Sequence, residues 1–294
     1  MKSTQPVVLE SRPAHSLHDA LRLMLTGAAV LLEDRDAHAA RREMKRIRAA
    51  LRLLRAPLGE TAYRRENRQV RDAARPLAPL RDTEALLRAL GHLRRAGDGR
   101  AYREHVQTVQ RALEWEREAR RRDLSLKSLQ DGADQLRRIE QRLGTLPAKE
   151  PDPPAVKRGM TRMYKSGRRA LTRARRHPDA AALHEWRKRA KYLSNQVELA
   201  VALLPVKLTK LGRRARKLAE LLGEDHDLAV LGEKLRELRR RGLVSARGAA
   251  PRRCKRRLAS RRRSLQRKAF RLGRRLYARR AARFAARLER RLRG

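Results

Sequence analysis

The chain has 294 residues, of which 77 are Lys or Arg and 32 Asp or Glu, a formal net charge of +45. Self-repulsion at that charge opposes a compact state unless an anion neutralises it. The composition therefore points to a polyanionic partner (nucleic acid, an anionic membrane or a phosphate polymer). The 40% apolar content excludes a disordered basic tail, the single Cys254 excludes an intrachain disulfide, and no apolar run approaches the roughly 20 residues of a membrane span. Met1 to Leu17 lacks the continuous apolar stretch of a secretory signal, so a soluble cytoplasmic protein is expected.

The pattern is helical almost throughout, with no convincing alternation of the kind a strand requires. A first helix is expected from Ser16 to Asp34, with Ser16 or Asp19 as N-cap. A second carries two stripes and ends near Pro57-Leu58-Gly59, and a third covers Thr61 to Arg75 before Pro76 and Pro79 interrupt it. Asp82 is read as the cap of a fourth, ending near Gly97-Asp98-Gly99. A charged helical stretch follows to Leu143, with a break near Asp123-Leu124-Ser125. Residues 146–155 are proline-rich and read as a linker between a first bundle, 1–145, and a second, 156–294. Beyond it, helices are expected at 156–177, 180–204, 206–222 and 227–241, the last two separated with Asp227 as a cap. A final, very basic helix after Pro251 runs to Arg291.

Two stretches share one plan. Along the second helix run His38, Arg41, Lys45, Arg48, Arg52 and Arg55, at steps of three or four, so all lie on one helix face. A parallel apolar row comprises Ala40, Met44, Ile47, Leu51, Leu54 and Leu58. The plan returns 146 residues later, with His184, Arg187 and Lys191 beside Trp186, Ala190, Leu193, Val197, Ala200 and Leu204. At about 100° per residue the two rows sit roughly 110° apart, so one can enter a core while the other holds a line of cations. A duplication giving two related bundles accounts for the offset. The copies differ where Arg48 and Arg52 align with Ser194 and Glu198.

Other helices repeat the design. Arg158, Arg162, Lys165, Arg169 and Arg176 flank Val156, Met160, Met163, Ala170 and Ala174. Lys207, Lys210, Arg214 and Lys217 flank Leu208, Leu211, Ala215, Leu218 and Leu222. If such faces converge they line a basic channel that favours filling by an anion. The plainer alternative is that each row faces solvent. His38 and His184 head their rows either as hydrogen-bond donors to an anion or as buttresses of a helix start. A metal site built from His38, His184, Asp82 and Asp227 lacks any H-x-x-x-H or H-E-x-x-H spacing. No phosphate-binding loop or nucleophile arrangement stands out, and Cys254, among Arg and Lys, reads as a bystander. Aromatics are only 3% of the chain, which leaves little platform for stacking nucleobases.

The motifs His38-Ala-Ala-Arg41, Lys45-Arg46-Ile47-Arg48, Arg81-Asp82, Tyr164-Lys165-Ser-Gly167-Arg168-Arg169, Leu183-His184-Glu-Trp186-Arg187-Lys188-Arg-Ala-Lys191 and Leu222-Gly223-Glu-Asp-His226-Asp227-Leu228 resemble the CHAD family, the histidine-containing α-helical domain. The resemblance implies an all-α fold of two bundles, about four helices each, related by a pseudo-twofold axis around a basic cavity. It also implies non-catalytic binding of inorganic polyphosphate, no cofactor, and a place beside polyphosphate granules. Carried over by motif, the ligands are His38, Arg41, Lys45, Arg48, His184, Arg187, Lys188 and Lys191, with Arg168 and Arg169. The basic rows add Arg52, Lys165, Lys210, Arg214 and Lys217. The rival readings are a nucleic-acid-binding protein and, behind it, a metal-dependent phosphohydrolase.

Overall fold

In a computed structural model, residues 16–95, 99–145, 153–204, 206–245 and 247–292 are described, and twelve α-helices with no strand occur among them. The first half contains α1 (Leu17–Glu33), α2 (Ala37–Leu53), the single turn α3 (Arg55–Leu58), α4 (Glu60–Ala73), α5 (Ala78–Arg95), α6 (Arg100–Arg122) and α7 (Leu126–Gly144). The second contains α8 (Pro153–Arg176), α9 (Ala180–Leu203), α10 (Thr209–Arg240), α11 (Ala249–Leu276) and α12 (Ala281–Leu292). Short polar side chains start several of them by accepting a backbone N–H that the helix leaves unpaired. Ser16 accepts from Asp19, Asp36 from Ala39, Ser125 from Ser128 and Asp179 from Ala182. Among the described residues no helix is long and apolar enough to cross a membrane.

Several sequence expectations change. Asp82 and Asp227 are not caps, because both lie inside helices, α5 and α10. Pro79 falls in the first turn of α5, where its missing N–H costs nothing, so that helix starts ahead of Asp82. The expected break at 222–227 is absent and α10 runs 32 residues without interruption. The final basic helix is instead two, α11 and α12, divided at Tyr277 to Arg280. Pro153 opens α8, while 146–152, the rest of the expected linker, lies outside the described residues, as do Gly97 and Asp98.

The apolar rows supply the packing. Ala40, Met44, Ile47 and Leu51 of α2, and Trp186, Ala190, Leu193 and Val197 of α9, are all essentially inaccessible and belong to one contiguous core. Each row ends in a half-buried leucine, Leu58 and Leu204. Around α1, helices α2 and α7 pack side by side, with α4 against both α2 and α7. α9 lies between α8 and α10, and α12 lies on α8. The halves meet where α2 crosses α9, and where α5 and α6 lie against α10 and α11. Where α2 meets α8, the backbone of Arg52 and Leu53 approaches Gly159 so closely that a Cβ there would sit 3.3 Å from it.

Three buried acidic residues lie at the helix seams. Glu66, fully buried on α4, receives Arg142 of α7 through two hydrogen bonds of 3.2 and 2.7 Å. Glu116 of α6 pairs with Lys234 at 2.8 Å and Arg241 at 3.1 Å, tying α6 to the end of α10. Asp225 of α10 accepts from Arg262 and Gln266 of α11, each at 3.0 Å. The carboxylates are buried and each accepts more than one hydrogen bond, the condition under which their desolvation is offset.

Two glycines admit aromatic rings. A Cβ on Gly273 of α11 would overlap the indole of Trp186, and one on Gly167 of α8 would overlap the ring of Tyr277. Trp186 is fully buried and Tyr277 nearly so, so neither ring has room to retreat. Gly273→Ala is expected to cost about 1–3 kcal/mol in urea unfolding. Gly91→Ala, in an open stretch of α5 with nothing within 4 Å, should stabilise by about 0.5–1 kcal/mol through helix propensity.

Candidate functional site

Four helices converge on a cavity of about 610 Å³. α2 contributes His38, Arg41, Arg42, Lys45 and Arg46, and α9 contributes Arg187, Lys191, Asn195 and Glu198. α5 adds Arg81, Glu84 and Arg88, and α10 adds Arg216 and Asp227. Nine of these are Lys or Arg and three are acids. Two of the acids have partners: Asp227 is 3.9 Å from Arg187 and Glu198 is 4.0 Å from Arg216. The cavity continues along the groove between α9 and α10, past His92, Glu220 and Glu224.

The two-stripe helices explain why the cations end up here. Burying Ile47 and Trp186 fixes the rotation of α2 and α9, and each basic row, about a third of a turn away, then faces the space between them. Arg187 runs past Gly223 of α10, 3.7 Å from where a Cβ would stand, an ordinary contact.

The cavity holds its cations partly buried and close to one another. Arg41 has two buried guanidinium nitrogens, Nε and Nη1, with no hydrogen-bond partner among the described residues. An unmet donor on a charged group is costly. Burial, reinforced by Lys191 and Arg41, depresses the Lys45 ammonium to about 7. Burial, reinforced by Arg187 and Arg81, brings Lys191 to about 8. Burial also lowers Arg41 and Arg187. An anion in the cavity would oppose each of these shifts and accept from the orphaned nitrogens of Arg41.

Five of the residues singled out in the sequence line this cavity: His38, Arg41, Lys45, Arg187 and Lys191. The others lie elsewhere. Arg48 donates to Asn67 Oδ1 at 3.0 Å, and Arg52 lies 3.9 Å over the Tyr192 ring, so the α2 row leaves the cavity after Lys45. Lys188 pairs with Glu185 at 2.9 Å. Lys165, Arg168 and Arg169, on α8, do not line the cavity. Lys210 and Arg214 face a separate cleft near α12, and Lys217 borders the α9–α10 groove, 3.2 Å from Glu220. His184 is half-buried and packs on His226 with ring centroids 4.7 Å apart, and its Nδ1 is unpartnered. Burial and then Arg187 lower both imidazoles, His226 to about 4, so His226 is neutral at pH 7. Among the described residues no three of His, Cys, Asp or Glu gather in a group that could hold a metal ion.

Sequence reasoning missed Arg42, Arg88 and Arg216, and it quoted Arg46 and Arg81 as motif residues without placing them among the ligands. Arg81 and Arg88 are seven residues apart and therefore share a helix face, a signal hidden by reading Asp82 as a cap.

The depressed lysines set a pH dependence. In the unfolded chain Lys45 and Lys191 titrate near 10.5, so between about pH 7 and 10 the unfolded state binds more protons and stability rises with pH. Urea unfolding of the ligand-free protein should show this rise. Lys45→Met should be more stable than wild type at pH 7 and show a shallower rise up to pH 9.5. An unchanged slope would remove Lys45 as its source.

The CHAD domain family matches residues 15–236, three quarters of the chain. The crystal structure of the CHAD domain from the plant Ricinus communis is similar in fold, with a TM-score of 0.53 and 19% identity over 95% of this chain and 98% of that one. A comparison with curated proteins returns no match. With its all-helical fold and its His-Arg-Lys rows on α2 and α9, the chain belongs to the CHAD domain family.

Proposed function

We propose that the protein binds inorganic polyphosphate, without catalysis, in the cavity between α2, α5, α9 and α10, and that it does so in the cytoplasm. The observation that carries this reading is the guanidinium of Arg41, with two buried nitrogens and no partner, among Lys45, Arg81, Arg187 and Lys191. Guanidinium groups suit phosphate because their N–H donors match two oxygens at once. A chain of phosphates satisfies many such donors in sequence and brings no base. The cavity offers no base a platform, since no aromatic side chain apart from the mouth imidazole of His38 lines it.

Affinity should be strongly salt-dependent. By analogy with DNA, six to ten phosphate contacts lose about 10³–10⁵ in affinity between 50 and 200 mM salt. Arg41→Glu/Lys45→Glu and Arg187→Glu/Lys191→Glu should each weaken long-chain polyphosphate binding by at least 100-fold in fluorescence titration. RNA at equal phosphate should compete poorly. If both variants bind like wild type, or RNA displaces polyphosphate at parity, the assignment fails.

Binding should also take up protons. An anion beside Lys45 and Lys191 restores their charged forms, so at pH 8 complex formation draws protons from the buffer. Calorimetry in two buffers of different ionisation enthalpy reads this directly, and Lys45→Met should reduce the uptake. Equal heats in both buffers would contradict it.

A further inference from the structure

α10 carries basic residues on two sides. Arg216 faces the central cavity, whereas Arg214, two residues earlier and so about 200° around the helix, faces away. On that far side Arg214 joins Arg275 of α11, Arg279 and Arg280 of the connecting segment, and Arg283 of α12. With Ala278 these five arginines line an open cleft of about 700 Å³. No acid lines it, in contrast to the three acids of the central cavity. Among the described residues none of the five side chains forms an ion pair, and Glu289, the one acid after Pro251, is 3.0 Å from Lys157.

The arginine-bearing segment is held in place. The Tyr164 hydroxyl donates to the Arg279 carbonyl at 3.1 Å and accepts from its N–H at 3.2 Å. Tyr277, buried, packs edge-on against Tyr164 at 5.3 Å and fits over Gly167. Phe284 stacks on the other side of Tyr164, its ring centroid 3.9 Å away. The backbone that carries the four arginines from 275 to 283 is thus fixed, so binding an anion has only their exposed side chains to order. The arginines also act on one another: beside the cleft, Arg287 is lowered chiefly by Arg279 and Arg291.

We propose that this cleft is a second anion site, separate from the central cavity, that binds a phosphate polymer through Arg214, Arg275, Arg279, Arg280 and Arg283. The ligand class rests on the function proposed above; the site itself rests on its own five arginines. The nearest rings, Tyr164 and Phe284, line the adjoining apolar pocket that shares Arg214, Arg275 and Arg279, but both are buried and stacked on each other, which again favours phosphates without bases. With sites on opposite sides of α10, one molecule can hold two stretches of polymer and cross-link them.

The test counts sites on the full chain. Calorimetric titration with tripolyphosphate should give two sites for wild type. It should give one for Arg41→Glu/Lys45→Glu and one for Arg275→Glu/Arg279→Glu/Arg283→Glu, whose cleft affinity should fall on the order of 100-fold. Lys255→Glu/Arg256→Glu/Arg263→Glu, an equal charge reversal on the exposed face of α11, should keep two. Thermal unfolding checks that each variant folds, and Arg275→Gln/Arg279→Gln/Arg283→Gln repeats the test without adding acids. If the cleft variants keep the stoichiometry of the control, the proposal is overturned. A loss of one site in the cleft variants, with none in the cavity variant, sinks the cavity reading and leaves the cleft standing. Preferential binding of RNA by the cavity variant at equal phosphate overturns the ligand class.

Discussion

The structure is organised around like charges held at short range. Nine cations and three acids face one cavity, and the helices that carry them cannot move apart, because the same helices bury Ile47, Met44, Trp186 and Leu193 in the core. Burial of apolar surface, roughly 25 cal/mol per Å², holds the cations against their mutual repulsion. The repulsion is expressed locally, in the lowered lysines and the unmet donors of Arg41. For the anion proposed to bind there, the cavity is pre-organised at the expense of the ligand-free protein.

The placement of acids follows from the same constraint. A chain with 32 acids and 77 bases cannot neutralise every cation, so where the acids go matters. Glu66, Glu116 and Asp225 sit in seams between helices, Glu66 accepting from Arg65 and Arg142 and the others from two partners each, and there they join α4 to α7, α6 to α10 and α10 to α11. Of the cations left over, nine line the central cavity and five the cleft beside α12, and others such as Lys255, Arg256 and Arg263 lie on exposed helix faces.

Much of this was legible in the sequence. The apolar rows of α2 and α9 predict their buried faces up to the half-buried Leu58 and Leu204, because burial of one helix face imposes a 3.6-residue period on its apolar residues. The ends of the basic rows were not legible. Arg48 and Arg52 continue the spacing of Arg41 and Lys45, yet Asn67 and Tyr192, from other helices, take them out of the cavity. Periodicity specifies a face, not the neighbour opposite it. Arg81 and Arg88 were hidden for a different reason: Pro79 looks like a break but is tolerated in the first turn of α5. Gly223 misleads in the same way, since it lies inside α10, where the Arg187 side chain runs past it.

The unbroken course of α10 has a consequence for how the molecule can vary. One stiff helix about 48 Å long carries Arg214, Arg216 and Asp227, so the angle between the two basic surfaces is encoded in its register. A one-residue insertion between Arg216 and Asp227 would rotate everything downstream by about 100° and pull Asp227 away from Arg187. A seven-residue insertion would nearly preserve the angle while lengthening the rod by about 10 Å. Changes of length in this helix are therefore tolerable only in steps close to whole turns, whereas the connecting segments on either side are under no such rule.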